Sequence, residues 1–235
     1  FLDHLWTGIA QQLVDVADGL ATVGGDGLLQ QLDAGLRPTL LDLARLMIAV
    51  SDNMATNLLL ARLGEARVRA WIHHAGMSGT VLEGGLQLPP ERQSPRQRAG
   101  ALNRTSAADV AGLLLRLERG ELLPERESAR MLELLRAQQQ TDGIGFCLPI
   151  DPAVADAGGR RVRLASKAGC LAGTWHDAAL VHDLGGTPLF VLVVLTTDAA
   201  DRAEHWRQEG RERIRRVAET VWRAATGQPP FAGSA

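Results

Sequence analysis

The segment from Thr39 to Leu63, TLLDLARLMIAVSDNMATNLLLARL, constrains this chain more than any other. Leu40, Leu43, Ala44, Met47 and Ile48 recur at helical spacing, and Met54, Asn57, Leu58, Leu60 and Ala61 carry a second helical run. Thr39 with Asp42 three residues on has the form of a capping box, so the first helix is expected to start there. Gly64 is placed to end the second. Between the runs stand Ser51, Asp52 and Asn53. These residue types compete for backbone hydrogen bonds and disfavour a helix interior. Two readings follow: a kink in which Ser51 or Asp52 caps the second helix, or a polar loop carried to a cleft by two rigid helices.

Elsewhere the first half reads as helical. Phe1–Val16 has Leu2, Leu5, Ile9, Leu13 and Val16 on one face of an expected amphipathic helix. A short helical piece is expected at Leu28–Leu32, and a helix at Ala66–His74 stopped by Gly76. Met77–Asn103 is rich in Pro, Gly and Arg and has no clear period, as in a packed or functional loop. Thr105 and Ser106 with Asp109 open a helix over Ala107–Glu118, and Pro124–Gln140 follows as another. The character then changes. Val162–Ser166 and His176–His182 read as strands, and Pro188–Thr196 (PLFVLVVLT) as a strand buried on both faces. Asp183–Pro188 has hairpin chemistry. Asp201–Arg223 reads as a closing helix, and residues 229–235 as a flexible tail. The expected class is α/β (α+β): a single domain over 1–228, mainly helical through 158, with strands and a last helix over 159–228.

Charge bears on partners. Net charge is −2, and arginines are interspersed with acidic residues, so no nucleic-acid footprint is expected. The longest run of large apolar residues, Leu189–Leu195, is too short to span a bilayer. No metal-ligand cluster is evident and no cofactor is implied. His73 and His74 are adjacent, so they cannot share a helix face as a metal pair would. Cys147 and Cys170 admit one bridge or two free thiols. Of 25 basic residues, Lys167 alone is lysine. A retained lysine suits work that a guanidinium does poorly, as a compact point charge or an amine of adjustable pKa.

Ser51-Asp52-Asn53 at a helix break, a long irregular loop, and Lys167-Ala168-Gly169 at the end of a strand together resemble the class A β-lactamase family of penicillin-recognising serine hydrolases. The resemblance runs over Gly24–Arg223. It includes LxxLMIAVSDNxATNLL from residue 43, NRTSAADVAGLLLRL at 103–117, SKAGxLAGxxHDAALV at 166–181 and FVLVVLTTD at 190–198. It implies a helical lobe packed on an antiparallel sheet flanked by helices, and a small-molecule substrate, a β-lactam or a peptide-like acyl donor. It also implies a periplasmic or secreted location, on which the chain's own sequence is silent. Carried over by position, Ser51 relays a proton toward the leaving nitrogen, and Asn53 donates to the substrate amide. Lys167 supplies positive potential to the substrate carboxylate. Ala168, Gly169, Cys170 and His176 fall at substrate-binding positions, with the Cys170 N–H an oxyanion donor and Asp177 structural. Cys170 read alone is a small buried hydrophobe, and His176 a hydrogen-bonded strand histidine.

Three departures qualify the resemblance. The acylating Ser-x-x-Lys is absent, because the only lysine is preceded three residues earlier by Leu164. The expectation is truncation before Phe1, with the family's first strands missing. The deacylating glutamate falls on Leu86 or Pro90 by count; Glu83 and Glu91 lie nearby, out of register and expected to be solvated. Ala168 stands where the family has Thr or Ser. These departures separate acylation from release, since a serine acyl-enzyme needs an activated water to turn over. The alternatives are a related peptidase or esterase poor at β-lactam turnover, and a pseudoenzyme that binds without chemistry.

Overall fold

The computed structural model describes residues 11–14, 23–33, 35–150, 161–200 and 208–230. The chain divides into two compact units, Phe1–Thr105 and Ser106–Ala235.

In the first unit, α1 (Leu40–Ala49) begins at the expected capping box: the Thr39 side chain accepts from Asp42 N–H, and the Asp42 carboxylate accepts from Thr39 N–H. α2 (Asn53–Leu63) is capped by Asp52, and α3 (Glu65–His74) starts directly after Gly64, whose φ of 84° few other residues adopt. Leu43, Met54, Ala55 and Leu58 from α1 and α2 close over Leu29 from a 3₁₀ turn at Leu29–Gln31. Burying side chains of this size stabilises by roughly 1.5–3 kcal/mol each, which is what sets the α1–α2 corner. The stretch after α3 is irregular apart from a 3₁₀ turn at Pro90–Arg92 and a helical turn at Pro95–Arg98.

The expected helix at Phe1–Val16 needs correction where it can be seen. Leu13 bridges Thr39, Val14 N–H donates to Pro38 O, and Leu40 N–H donates to Gln12 O. Residues 12–14 are therefore extended: the backbone just ahead of α1 offers them ladder bonds that a helix would forgo. Residues 1–10 and 15–16 lie outside the described residues.

The second unit has three layers. α4 (Ala107–Glu118) is capped by Ser106, whose hydroxyl accepts from Asp109 N–H, and α5 (Glu125–Arg136) follows. β1 (Val162–Leu171), β2 (Thr174–Asp183) and β3 (Pro188–Thr196) form an antiparallel sheet in the order β1-β2-β3. α4 and α5 contact the sheet; α6 (Glu209–Thr226) packs on it with the 3₁₀ turn Ile144–Cys147. Residues 201–207 of the expected closing helix, and 231–235 of the expected tail, lie outside the described residues. Leu164, Trp175, Ala179, Val181, Ile214 and Trp222 form the core under one sheet face. Among the described residues β3 pairs only with β2, and its side chains past Pro188 are half-buried throughout rather than buried on both faces. A strand at a sheet edge keeps one row of backbone groups unpaired.

Candidate functional site

In the first unit the polar triplet is a tight corner. Ser51 has φ 55°, a left-handed conformation uncommon outside glycine and asparagine. Asp52 N–H returns to the Leu46 carbonyl at 3.1 Å, closing the turn under Ser51. The Asp52 side chain is fully buried. It accepts from Ala55 N–H at 2.8 Å, from Leu28 N–H at 2.7 Å and from Leu29 N–H at 2.9 Å. Three N–H donors satisfy a charge whose burial would otherwise be costly. Of the two sequence readings, the cap is therefore present and belongs to Asp52. It leaves Ser51 and Asn53 on either side of a buried anchor.

The loop at Gly24–Gly27 wraps this corner. Asn53 Nδ2 donates to Gly24 O at 2.9 Å, and Asn53 N–H donates to Asp26 O at 3.0 Å. A Cβ on Gly25 would stand 2.5 Å from Asn53 Nδ2, and one on Gly27 2.7 Å from the Asp52 carboxyl carbon. The glycines serve close approach to the triplet. Asn57, one turn beyond Asn53, is also buried. Its Nδ2 donates to Leu86 O at 2.8 Å and its Oδ1 accepts from Leu86 N–H at 2.7 Å. The irregular loop is thus clamped at Leu86, one of the two positions, with Pro90, at which counting puts the family's glutamate. A buried asparagine within an apolar helical run is the signal in the sequence that such a clamp exists.

Glu83 is buried rather than solvated, which corrects the sequence expectation. Both its oxygens accept from Arg96, at 2.7 and 2.9 Å, and the guanidinium holds the carboxyl below its ordinary range. A carboxylate so occupied is poorly suited to take a proton from water. Glu91 is exposed.

In the second unit Lys167, Gly169 and His176 share one sheet face, Gly169 pairing with His176. Lys167 is half-buried and its ammonium donates to the Ala168 carbonyl. His176 Nδ1 lies 2.9 Å from Trp175 O and 3.2 Å from Thr196 N, so one side of the ring is taken by the strands. Ala168 faces the other way, opposite Asp177 in register. Asp177 is buried; its Oδ2 accepts from Ile144 N–H at 2.7 Å, while Oδ1 has no hydrogen-bond partner among the described residues. Burial pushes its carboxyl up to about 6. Cys147 and Cys170 are not bridged by a disulfide; Cys147 is buried, and burial raises its thiol to about 12.

Two buried arginines escape the sequence reading, because there they look like the polar side of an amphipathic helix. Arg211 pairs with Asp142 at 2.6 Å and lies 3.9 Å over the Trp175 ring. Arg215 lies 3.7 Å over Phe146 and donates to Asp142 O at 2.8 Å. Together with Asp177 they pin the 142–146 turn from both the helix and the sheet. Among the described residues no three His, Cys, Asp or Glu side chains are grouped to hold a metal, and no helix is long and apolar enough to cross a membrane.

A helical unit, a sheet with helices on both faces, and a Ser-Asp-Asn corner together have the architecture of a β-lactamase-type fold, and comparison with known structures agrees. A β-lactamase from Sphaerobacter thermophilus DSM 20745 is 26% identical, covering 97% of this chain and 78% of that one with a TM-score of 0.77. PBP-A is 25% identical, covering 92% of this chain and 71% of that one with a TM-score of 0.73. A PBP-A variant solved as an acyl-enzyme complex with penicillin G is 25% identical, covering 92% and 72%, with a TM-score of 0.71. No curated protein matches. The sequence profile of the β-lactamase enzyme family matches residues 9–225, and the chain belongs to that family.

Proposed function

We propose that the protein is a penicillin-recognising serine hydrolase whose chemistry favours acylation over release, acting on a β-lactam or a related amide or ester. Ser51 relays the proton to the leaving nitrogen, Asn53 donates to the substrate amide, and Lys167 attracts the substrate carboxylate. The Cys170 N–H serves the developing oxyanion, with the Ala168 backbone, Gly169 and His176 along the substrate. These 235 residues contain no Ser-x-x-Lys, so none of the residues assigned above is the acylating nucleophile. The observation that carries the slow-release reading is the Asn57 clamp on Leu86. The clamped residue of the loop has an aliphatic side chain, and the nearby Glu83 is occupied by Arg96. Among the described residues of the loop that leaves only the exposed Glu91 as a free carboxylate, out of register as a base, which also favours the alternative of a peptidase or esterase with poor β-lactam turnover.

The test is intact-mass spectrometry with penicillin G. The 235-residue chain should remain unmodified, and a stoichiometric adduct on any of its serines would refute the assignment. A protein in which a family Ser-x-x-Lys segment precedes this chain should show a burst followed by a low steady rate. Rapid steady turnover would show that a base does act, and no acylation at all would favour a non-catalytic binding module.

A further inference from the structure

An open cleft of about 530 Å³ lies within the first unit, between the last turns of α3 and the start of the irregular loop. We propose that it binds a small organic anion, a carboxylate or phosphate ester carrying an apolar body. Its volume is in the range of small-molecule sites, which combine apolar walls with a few convergent polar groups. Ile72, Met77, Val81 and Leu82 supply the apolar wall. α3 buries none of its residues fully, so Ile72 has room to receive a ligand.

The polar groups set the sign of the ligand. Arg69 spends Nε on Leu82 O and Nη2 on Glu65 and on Glu83 O. Arg96 spends Nε and Nη2 on Glu83. Neither Nη1 has a hydrogen-bond partner among the described residues, and the Arg96 side chain is 68% exposed. His73, one turn beyond Arg69 on the same helix face, lines the cleft beside them. The carboxylate of the lining, Glu83, is saturated by Arg96 and sits in the field of Arg69, Arg96 and Arg104 together. The cleft therefore offers donors and positive potential without a spare acidic acceptor, a pattern suited to an anion. Its occupation would bear on the loop directly, since the Glu83–Arg96 pair joins the two ends of the segment that carries Leu86.

The experiment is an amide NMR titration of the whole chain with benzoate, and with benzamide and benzylamine as neutral and cationic analogues. Benzoate should shift amides within residues 69–96 saturably and bind at least tenfold more tightly than benzamide, with benzylamine silent. Arg96→Gln should weaken benzoate tenfold or more. Because that change also releases Glu83, Met77→Trp is the independent variant: it fills the cleft, leaves every charge in place, and should abolish the same shifts with the remaining spectrum unchanged. Equal binding of benzoate and benzamide, shifts confined to residues outside 69–96, or undiminished binding by Met77→Trp would each overturn the proposal.

Discussion

Replacing Asp177 with Asn should change how stability depends on pH, in a direction fixed by the burial of this carboxyl. Asp177 is 1% exposed, and its carboxyl titrates near 6 because burial penalises the charged form. An acid whose folded value lies above its unfolded value, about 3.9, binds more protons in the folded state between the two. Its contribution to stability is therefore most favourable below about pH 4, falls as pH rises through 6, and is level above. A rise from about 3.9 to about 6 corresponds to about 3 kcal/mol as an upper limit. Asn retains an acceptor for Ile144 N–H and cannot ionise. The stability of Asp177→Asn minus that of the wild type should therefore rise by up to that amount between pH 4 and pH 8. Urea denaturation of both proteins at half-unit steps measures it, and subtraction cancels the other titrating groups. A difference that stays constant across the range, or falls as pH rises, would refute the account of a buried, desolvated carboxyl.

Ser51→Thr, which keeps a hydroxyl, should destabilise by roughly 1–2 kcal/mol in thermal unfolding, because a β-branched residue is poorly suited to the φ of 55°. An unchanged melting temperature would count against a left-handed Ser51. Asn57→Leu removes both bonds to Leu86 and should cost about 2–4 kcal/mol, with faster amide exchange across residues 84–88. Exchange there at the wild-type rate would show that Asn57 does not hold the loop. In β3, amides directed at β2 should exchange more slowly than those directed away, giving an alternating pattern along residues 189–195. Uniform strong protection in a monomeric sample would show that the outer edge is covered.

Local signals are legible wherever a residue's partner lies within one turn. The Thr39–Asp42 box, the Ser106 cap and the positions of the three strands can be read directly, because side-chain chemistry and period determine them locally. What escapes depends on partners far along the chain. Glu83 looks solvated in the sequence because its partner Arg96 stands in an aperiodic stretch. Asn57 reads as part of an apolar run because Leu86 presents only backbone to it. Residues 12–14 fit a helical period, yet they pair with backbone ahead of α1. The change from helix to strand suggests a division at residue 158, whereas the compact units divide between Thr105 and Ser106 because α4 and α5 pack on the sheet. Residue type shows which element forms before it shows what that element touches.

The knot under the Ser-Asp-Asn corner also bears on how this part of the molecule comes together. Asp52 reaches Leu28 and Leu29 across 24 and 23 residues, and Asn53 reaches Gly24 across 29. Asn57 reaches Leu86 across 29 more on the other side. Each closure spans a short loop, whose entropic cost grows only with the logarithm of its length. Contacts of such modest sequence separation form without the cost of closing a long loop. The corner made by α1 and α2 is thus a nucleus onto which the segments before and after it can fasten in turn. The β1–β2 hairpin, closed across the two residues between Leu171 and Thr174, is more local still, so each unit has contacts within itself from which folding can start.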